Sequence, residues 1–193
     1  MNRYLFICTL ALSYVFFGQK TWAQTIDFSK YSNYELSLAE QSNTDLDYGT
    51  VISGEGVRNI VLADAKILSI TGVKFLDVIV DIQADQALTL NGSGSSSTDE
   101  RIPYTMQAAY SNQGTSPNYS AARFMNVSAN AATATFPLSG RNGGPPAPPP
   151  VPPHKGYKAP TATAYLYLYG QINVGNVKAG NYNGQITVTV TYD

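Results

Sequence analysis

One cysteine and one histidine are all that this 193-residue chain holds of the two side chains most used for thiol and metal chemistry. Cys8 sits in an apolar stretch near the start, and no cysteine follows it. The rest of the chain therefore has neither a disulfide staple nor a thiolate nucleophile. His154 stands alone among prolines, with no Ser–Asp or Cys partner pattern nearby. A triad or a zinc site needs several converging groups, and no Cys/His spacing supplies them. Charge is scarce as well, at 13% of residues. A surface with so little charge must be built largely from Ser, Thr, Asn, Gln and Gly, as in many secreted β-proteins. Helical patterning is missing too: beyond the first residues nothing sustains an apolar period of 3.6.

The start of the chain reads as a secretory leader. Arg3 is basic, Tyr4 to Phe17 is mostly apolar, and Thr21-Trp22-Ala23 offers small residues at the two positions a signal peptidase reads. Cleavage is expected after Ala23, giving a leader of residues 1–23 and one domain over 24–193. The apolar run is shorter than the roughly 20 residues that cross a bilayer, so no membrane span is expected in the mature protein. Removing the leader takes away Arg3 and Lys20. The mature chain then has 10 basic against 13 acidic residues, a formal −3 (12 − 2 = 10 against 13). That balance argues against nucleic acid or an anionic membrane as partner.

What is present is strand-forming sequence. Ile186, Val188, Val190 and Tyr192 alternate with Gln185, Thr187, Thr189 and Thr191. This period of two predicts a strand with one buried and one wet face. Turn residues Gly180, Asn181, Asn183 and Gly184 precede it. Further strands are expected at Tyr34–Leu38, Leu46–Ile52, Val57–Leu62, Lys66–Thr71, Phe75–Gln83, Ala87–Leu90, Tyr104–Tyr110, Arg123–Ser128, Ala132–Leu138 and Thr163–Ile172. Short strands divided by Gly, Asn, Ser and Pro predict an all-β fold, an antiparallel sandwich of two sheets. Asn91–Asp99 and Gln113–Ser120 read as polar loops. Residues 140–160 hold most of the prolines, which favour an extended rod and donate no ladder hydrogen bonds. About 33 residues follow them, too few for a second domain. The segment is thus expected to be a long loop inside one domain.

Two clusters invite a functional reading. Asp77, Asp81 and Asp85 share one face of a predicted strand, with neighbours about 13 Å apart at about 3.3 Å per residue. That spacing is too wide for one calcium ion or a catalytic pair, and predicts a solvated face. Tyr165, Tyr167 and Tyr169 alternate with Ala164, Leu166 and Leu168. They form either an aromatic platform for sugar rings or another chain, or a sheet face of cross-strand pairs. Asn91-Gly-Ser, Asn118-Tyr-Ser and Asn126-Val-Ser match a glycosylation pattern too short to be informative.

Three motifs carry a family resemblance. They are Leu46-Asp-Tyr-Gly-Thr-Val51, Ala87-Leu-Thr-Leu90, and the ending from Tyr165-Leu-Tyr-Leu to Gly180-Asn-Tyr-Asn-Gly-Gln-Ile-Thr-Val-Thr-Val-Thr-Tyr192. Over residues 34–192 the chain resembles the bacterial exported domain of unknown function 4402, related to spore coat protein U and chaperone–usher pilus subunits. The wider group carries a glycine fourteen from the C-terminus and a penultimate tyrosine, matched here by Gly180 and Tyr192. The resemblance implies an immunoglobulin-like sandwich lacking one strand, whose gap is filled first by a periplasmic chaperone and then by the next subunit. It implies a strand-addition groove lined by Ile186, Val188 and Val190 and closed by Tyr192. Two departures accompany it. The cysteine pair of many pilus subunits is missing, and no clear free donor strand stands out: Ile26 and Phe28 alternate, Lys30 and Ser32 interrupt, and the stretch reads either as a donor or as the first strand of a complete sandwich.

Sequence reading thus leads to an exported, non-enzymatic structural or adhesive protein of the periplasm, cell surface or extracellular space. It assigns no metal, cofactor or catalytic residue. Its partners are other subunits or a chaperone at the C-terminal strand. The alternative is a self-complete sandwich binding a glycan or other extracellular ligand through Tyr165, Tyr167 and Tyr169.

Overall fold

The alternation in the last strand is realised as a ladder. β12 (Ile186–Tyr192) pairs antiparallel with β4 (Asp77–Ala84), placing Val188 opposite Ile82, Val190 opposite Val80 and Tyr192 opposite Val78. β4 alternates as cleanly: Val78, Val80, Ile82 and Ala84 are buried, whereas Asp77, Asp81 and Gln83 are exposed. Asp85, just beyond, is exposed too. The acidic face is thus solvated, as its spacing predicts. β9 (Ala131–Pro137) takes the other edge of β4, and β8 (Val127–Ser128) completes a four-stranded sheet in the order β12-β4-β9-β8. The computed structural model describes residues 34–41, 45–139 and 159–193, all within one compact unit, Tyr31–Asp193.

The second sheet is built on β10 (Thr161–Val174), which is flanked along both edges. β6 (Arg101–Ser111) pairs with it on one side. On the other, β3 (Lys66–Val73) covers Thr161–Leu168 and β2 (Gly56–Ile60) covers Gly170–Val174. A 3₁₀ turn at Leu62–Asp64 separates β2 from β3. β1 (Ser37–Glu40) lies on β3, β5 (Ala87–Leu90) and β7 (Arg123–Phe124) on β6, and β11 (Tyr182–Asn183) on β5. All pairings are antiparallel, so the fold is an all-β, two-sheet sandwich.

Between the sheets lies one core. Ile70, Leu68, Leu166, Leu168, Ile102 and Met106 from the large sheet meet Val78, Val80, Ile82 and Phe136 from the small one. Tyr110 of β6 stacks on Phe136 of β9, centroids 4.0 Å apart and nearly parallel, tying the layers by an aromatic contact. A side chain of this kind contributes about 1.5–3 kcal/mol when fully buried.

Beyond small shifts of their ends, the expected and observed strands differ in five places. Tyr34–Leu38 is strand only from Ser37, and that strand runs on to Glu40. Leu46–Ile52 forms no strand; Leu46, Tyr48 and Val51 pack on the core and Ile52 is exposed, but the backbone joins no ladder. Arg123–Ser128 is split, because β7 joins the large sheet and β8 the small one. Phe75 takes φ 72 in the bend before β4, which begins two residues later than expected. The short β11 was hidden among turn residues. The expected leader, His154 and the proline-rich centre lie outside the described residues. The strands flanking that proline-rich stretch, β9 and β10, belong to the two sheets of the same sandwich.

Candidate strand-addition groove

Among the described residues β12 has a strand neighbour on one side. β4 occupies its inner edge, and among the described residues no strand pairs with its outer edge. The consequence shows in its side chains. Val80 and Ile82 on β4 are 0% and 3% exposed, yet Val190 and Val188 directly opposite them are only half-buried. All four face the same core. The valines of β12 differ in having, among the described residues, no further strand beside them.

Both ends of β12 are pinned. At its start the Gln185 N–H donates to Asp85 Oδ2 at 2.8 Å, and the Asp85 N–H donates back to the Gln185 carbonyl at 3.0 Å. At its end the Tyr192 hydroxyl accepts from the Val73 N–H at 2.8 Å and donates to the Glu35 carbonyl at 3.1 Å. Tyr192 thereby joins the last strand of the small sheet to the end of β3 and to the chain just before β1. A side chain at Gly72 would overlap the Tyr192 hydroxyl and the Leu36 and Leu138 side chains, so glycine lets the two sheets approach here. Burial pushes the Tyr192 phenol above its usual value, and the Val73 N–H partly opposes that rise.

The structure thus brings Ile186, Val188, Val190 and Tyr192 onto one face. It places Gly180 elsewhere. Gly180 precedes β11, and a side chain on it would overlap Leu90 of β5, in the large sheet. Its glycine serves that close approach and takes no part in lining β12.

Tyr165, Tyr167 and Tyr169 lie on the face of β10 that looks away from the main core, and they are 6%, 0% and 6% exposed. Ile60, Leu62, Ala65, Ile67 and Ala122 pack over them as a second apolar layer. The Tyr165 hydroxyl donates to the Thr115 carbonyl at 2.9 Å, and the Tyr167 hydroxyl accepts from the Asn118 N–H at 2.8 Å. The ring of Tyr119 leans on that of Tyr167 at 5.3 Å. The platform reading needs open ring faces, and these rings are covered. Alternation with Ala and Leu showed which face they take, but could not show that a loop returns over that face.

Two features escaped the sequence reading. Asn130 is buried in the two-residue turn between β8 and β9, where Ala129 and Asn130 take φ 50 and 56. Its side chain accepts from the Met106 N–H and donates to the carbonyls of Asp85 and Tyr104, joining three segments. Asparagine is well suited to such a left-handed turn position, and that was the available signal. The second is Arg58, whose guanidinium holds the backbone of the Leu46–Val51 segment. Among the described residues no three acidic, histidine or cysteine side chains gather as a cation site. Nor is any described helix long and apolar enough to cross a membrane.

No family model matches the sequence, so none supports the resemblance to the domain of unknown function 4402, and no curated protein matches it. Among solved structures, the chain is similar to one from a chaperone–tip adhesin complex described as vital for synergistic activation of CFA/I fimbriae biogenesis. The identity is 15% and the TM-score 0.37. The likeness covers 84% of this chain and 43% of that one, so this chain spans less than half the length of that neighbour.

Proposed function

We propose that this protein is an exported structural or adhesive component of a bacterial cell envelope, of the domain 4402 and pilus-subunit type, that assembles by β-strand addition at β12. One observation carries the reading. β12 combines an outer edge unpaired among the described residues with a row of half-buried apolar side chains over the core. An incoming extended segment with alternating apolar residues satisfies both: its backbone extends the ladder, and its side chains cover Val188 and Val190. Each new backbone hydrogen bond contributes about 0.5–1.5 kcal/mol net, so a strand of several residues suffices for stable docking. The partner is another subunit or a periplasmic chaperone, and the chain itself carries out no catalysis.

The test uses residues 24–193 purified alone, followed by sedimentation velocity with and without a synthetic peptide of residues 24–34, in which Ile26 and Phe28 alternate. The expected result is concentration-dependent polymer that the peptide converts to monomer. A cooperative monomer at every concentration, indifferent to the peptide, overturns the reading.

A further inference from the structure

The segment Leu46–Val51 behaves unlike the strands around it. Leu46, Tyr48 and Val51 pack on the same core cluster as Val188, Val190 and Tyr192 of β12. Tyr48 meets Tyr104 of β6 edge to face, centroids 6.4 Å apart. In side-chain terms the segment covers the core as a strand would.

Its backbone is held in another way. The Arg58 guanidinium donates to the carbonyls of Tyr48 at 2.9 Å and Thr50 at 2.7 Å. Glu55 fixes that guanidinium from the other side at 3.2 Å, and also accepts from the Ile52 N–H at 2.8 Å. The Gly49 N–H turns back to Asp47 within the segment, at 2.7 Å. A laddered strand spreads its backbone attachment over many bonds, whereas the carbonyls of Tyr48 and Thr50 here are both held by the Arg58 side chain. It also contains a poor fit. Among the described residues the buried Tyr48 hydroxyl has no hydrogen-bond partner, a state that disfavours the bound position. Few backbone hydrogen bonds and an unsatisfied buried hydroxyl are features of segments that open at low cost.

We infer that Leu46–Val51 is a releasable cover on the core shared with β12, pinned by Arg58, and that its release regulates how readily a strand is accepted. The inference rests on the strand-addition reading above. When the cover lifts, apolar core is exposed, and an added strand beside β12 regains that burial. While it stays down, the chain protects its own core before assembly.

Three proteins test this: residues 24–193 unchanged, Arg58→Ala and Tyr48→Phe. Hydrogen exchange reports on residues 46–52 against β6 and β10, and sedimentation reports the rate of assembly. Arg58→Ala is expected to speed exchange across 46–52 about tenfold or more, leave β6 and β10 unchanged, and speed assembly. Tyr48→Phe removes the unsatisfied hydroxyl and is expected to slow both. An Arg58→Ala protein whose 46–52 exchange is unchanged, or is faster with no gain in assembly rate, overturns the inference. If Arg58→Ala unfolds altogether, Tyr48→Phe decides alone, and a rate of assembly equal to that of the unchanged protein overturns it. An unchanged protein that neither assembles nor responds to the 24–34 peptide overturns the strand-addition reading itself, and the inference falls with it.

Discussion

β10 and β12 are both alternating strands rich in β-branched and aromatic residues, yet they have opposite surroundings. β10 is paired along both edges and buried on both faces: Leu166 and Leu168 in the main core, Tyr165 and Tyr167 under the second apolar layer. β12 has one strand beside it among the described residues and one solvated face. Alternation therefore shows that a strand has two faces, but does not show how many of them are covered. Both sheets share one core, but of these two strands only β10 is paired, among the described residues, on both of its edges.

That contrast is broken most strongly at the centre of β10. Leu166→Ala leaves a cavity in a fully buried site and should cost about 2–5 kcal/mol in a urea melt. Val188→Ala, on the half-buried face of β12, should cost about 1 kcal/mol or less, because water already reaches part of that site. Equal losses would mean that β12 is as enclosed as β10.

Alkali should act on the buried tyrosines next. Burial pushes the Tyr104 phenol up to about 12, and it also raises Tyr48, Tyr167 and Tyr169. A raised folded-state value means that the neutral form is favoured by folding. The contribution is therefore fully present below the unfolded value of 10.0 and is lost as pH rises through the folded value. Stability should be flat in this respect up to about pH 10 and fall from there toward 12, by about 2–3 kcal/mol from Tyr104 alone. Melts across that range check it, and a flat profile would place these phenols in water.

Tyr192→Phe should cost about 1–3 kcal/mol, since it strands the Val73 N–H and the Glu35 carbonyl where the two sheets meet. Exchange of the Val73 amide should rise with it. The smallest effect is expected on the wet face of β12. Thr189 lies directly opposite Asp81. Thr189→Asp places like charges across the ladder and should cost about 0.2–1 kcal/mol, weakening as salt is added, whereas Thr189→Lys should stabilise by a similar amount. Opposite signs for the two variants fix the register; matching signs would show that the pair is not opposed.

Much of this was legible in the residues. The faces of β4 followed from Asp77, Asp81 and Gln83 alternating with valine and isoleucine, and those of β12 from threonine alternating with valine. Leu46–Ile52 was legible only as β-prone. Its carbonyls at Tyr48 and Thr50 are taken by Arg58, a residue that alternation within the segment does not register. The tyrosine row read equally well as open or covered, because the residues that cover it come from Leu62, Ala65 and Ala122, far away along the chain. Gly180 matched a family position, yet its contact with Leu90 became visible only once β5 and β11 were paired.

By itself the sequence determined the local periodicity, and with it the all-β class and which side chains share a face, because a strand's side-chain period is set by backbone geometry alone. Only the tertiary structure decided which faces and edges are covered. Cover depends on pairings between residues distant in the chain, and two strands with the same alternation acquire different numbers of neighbours. In this protein that difference encloses the middle of β10 and, among the described residues, leaves the apolar row of β12 half-buried.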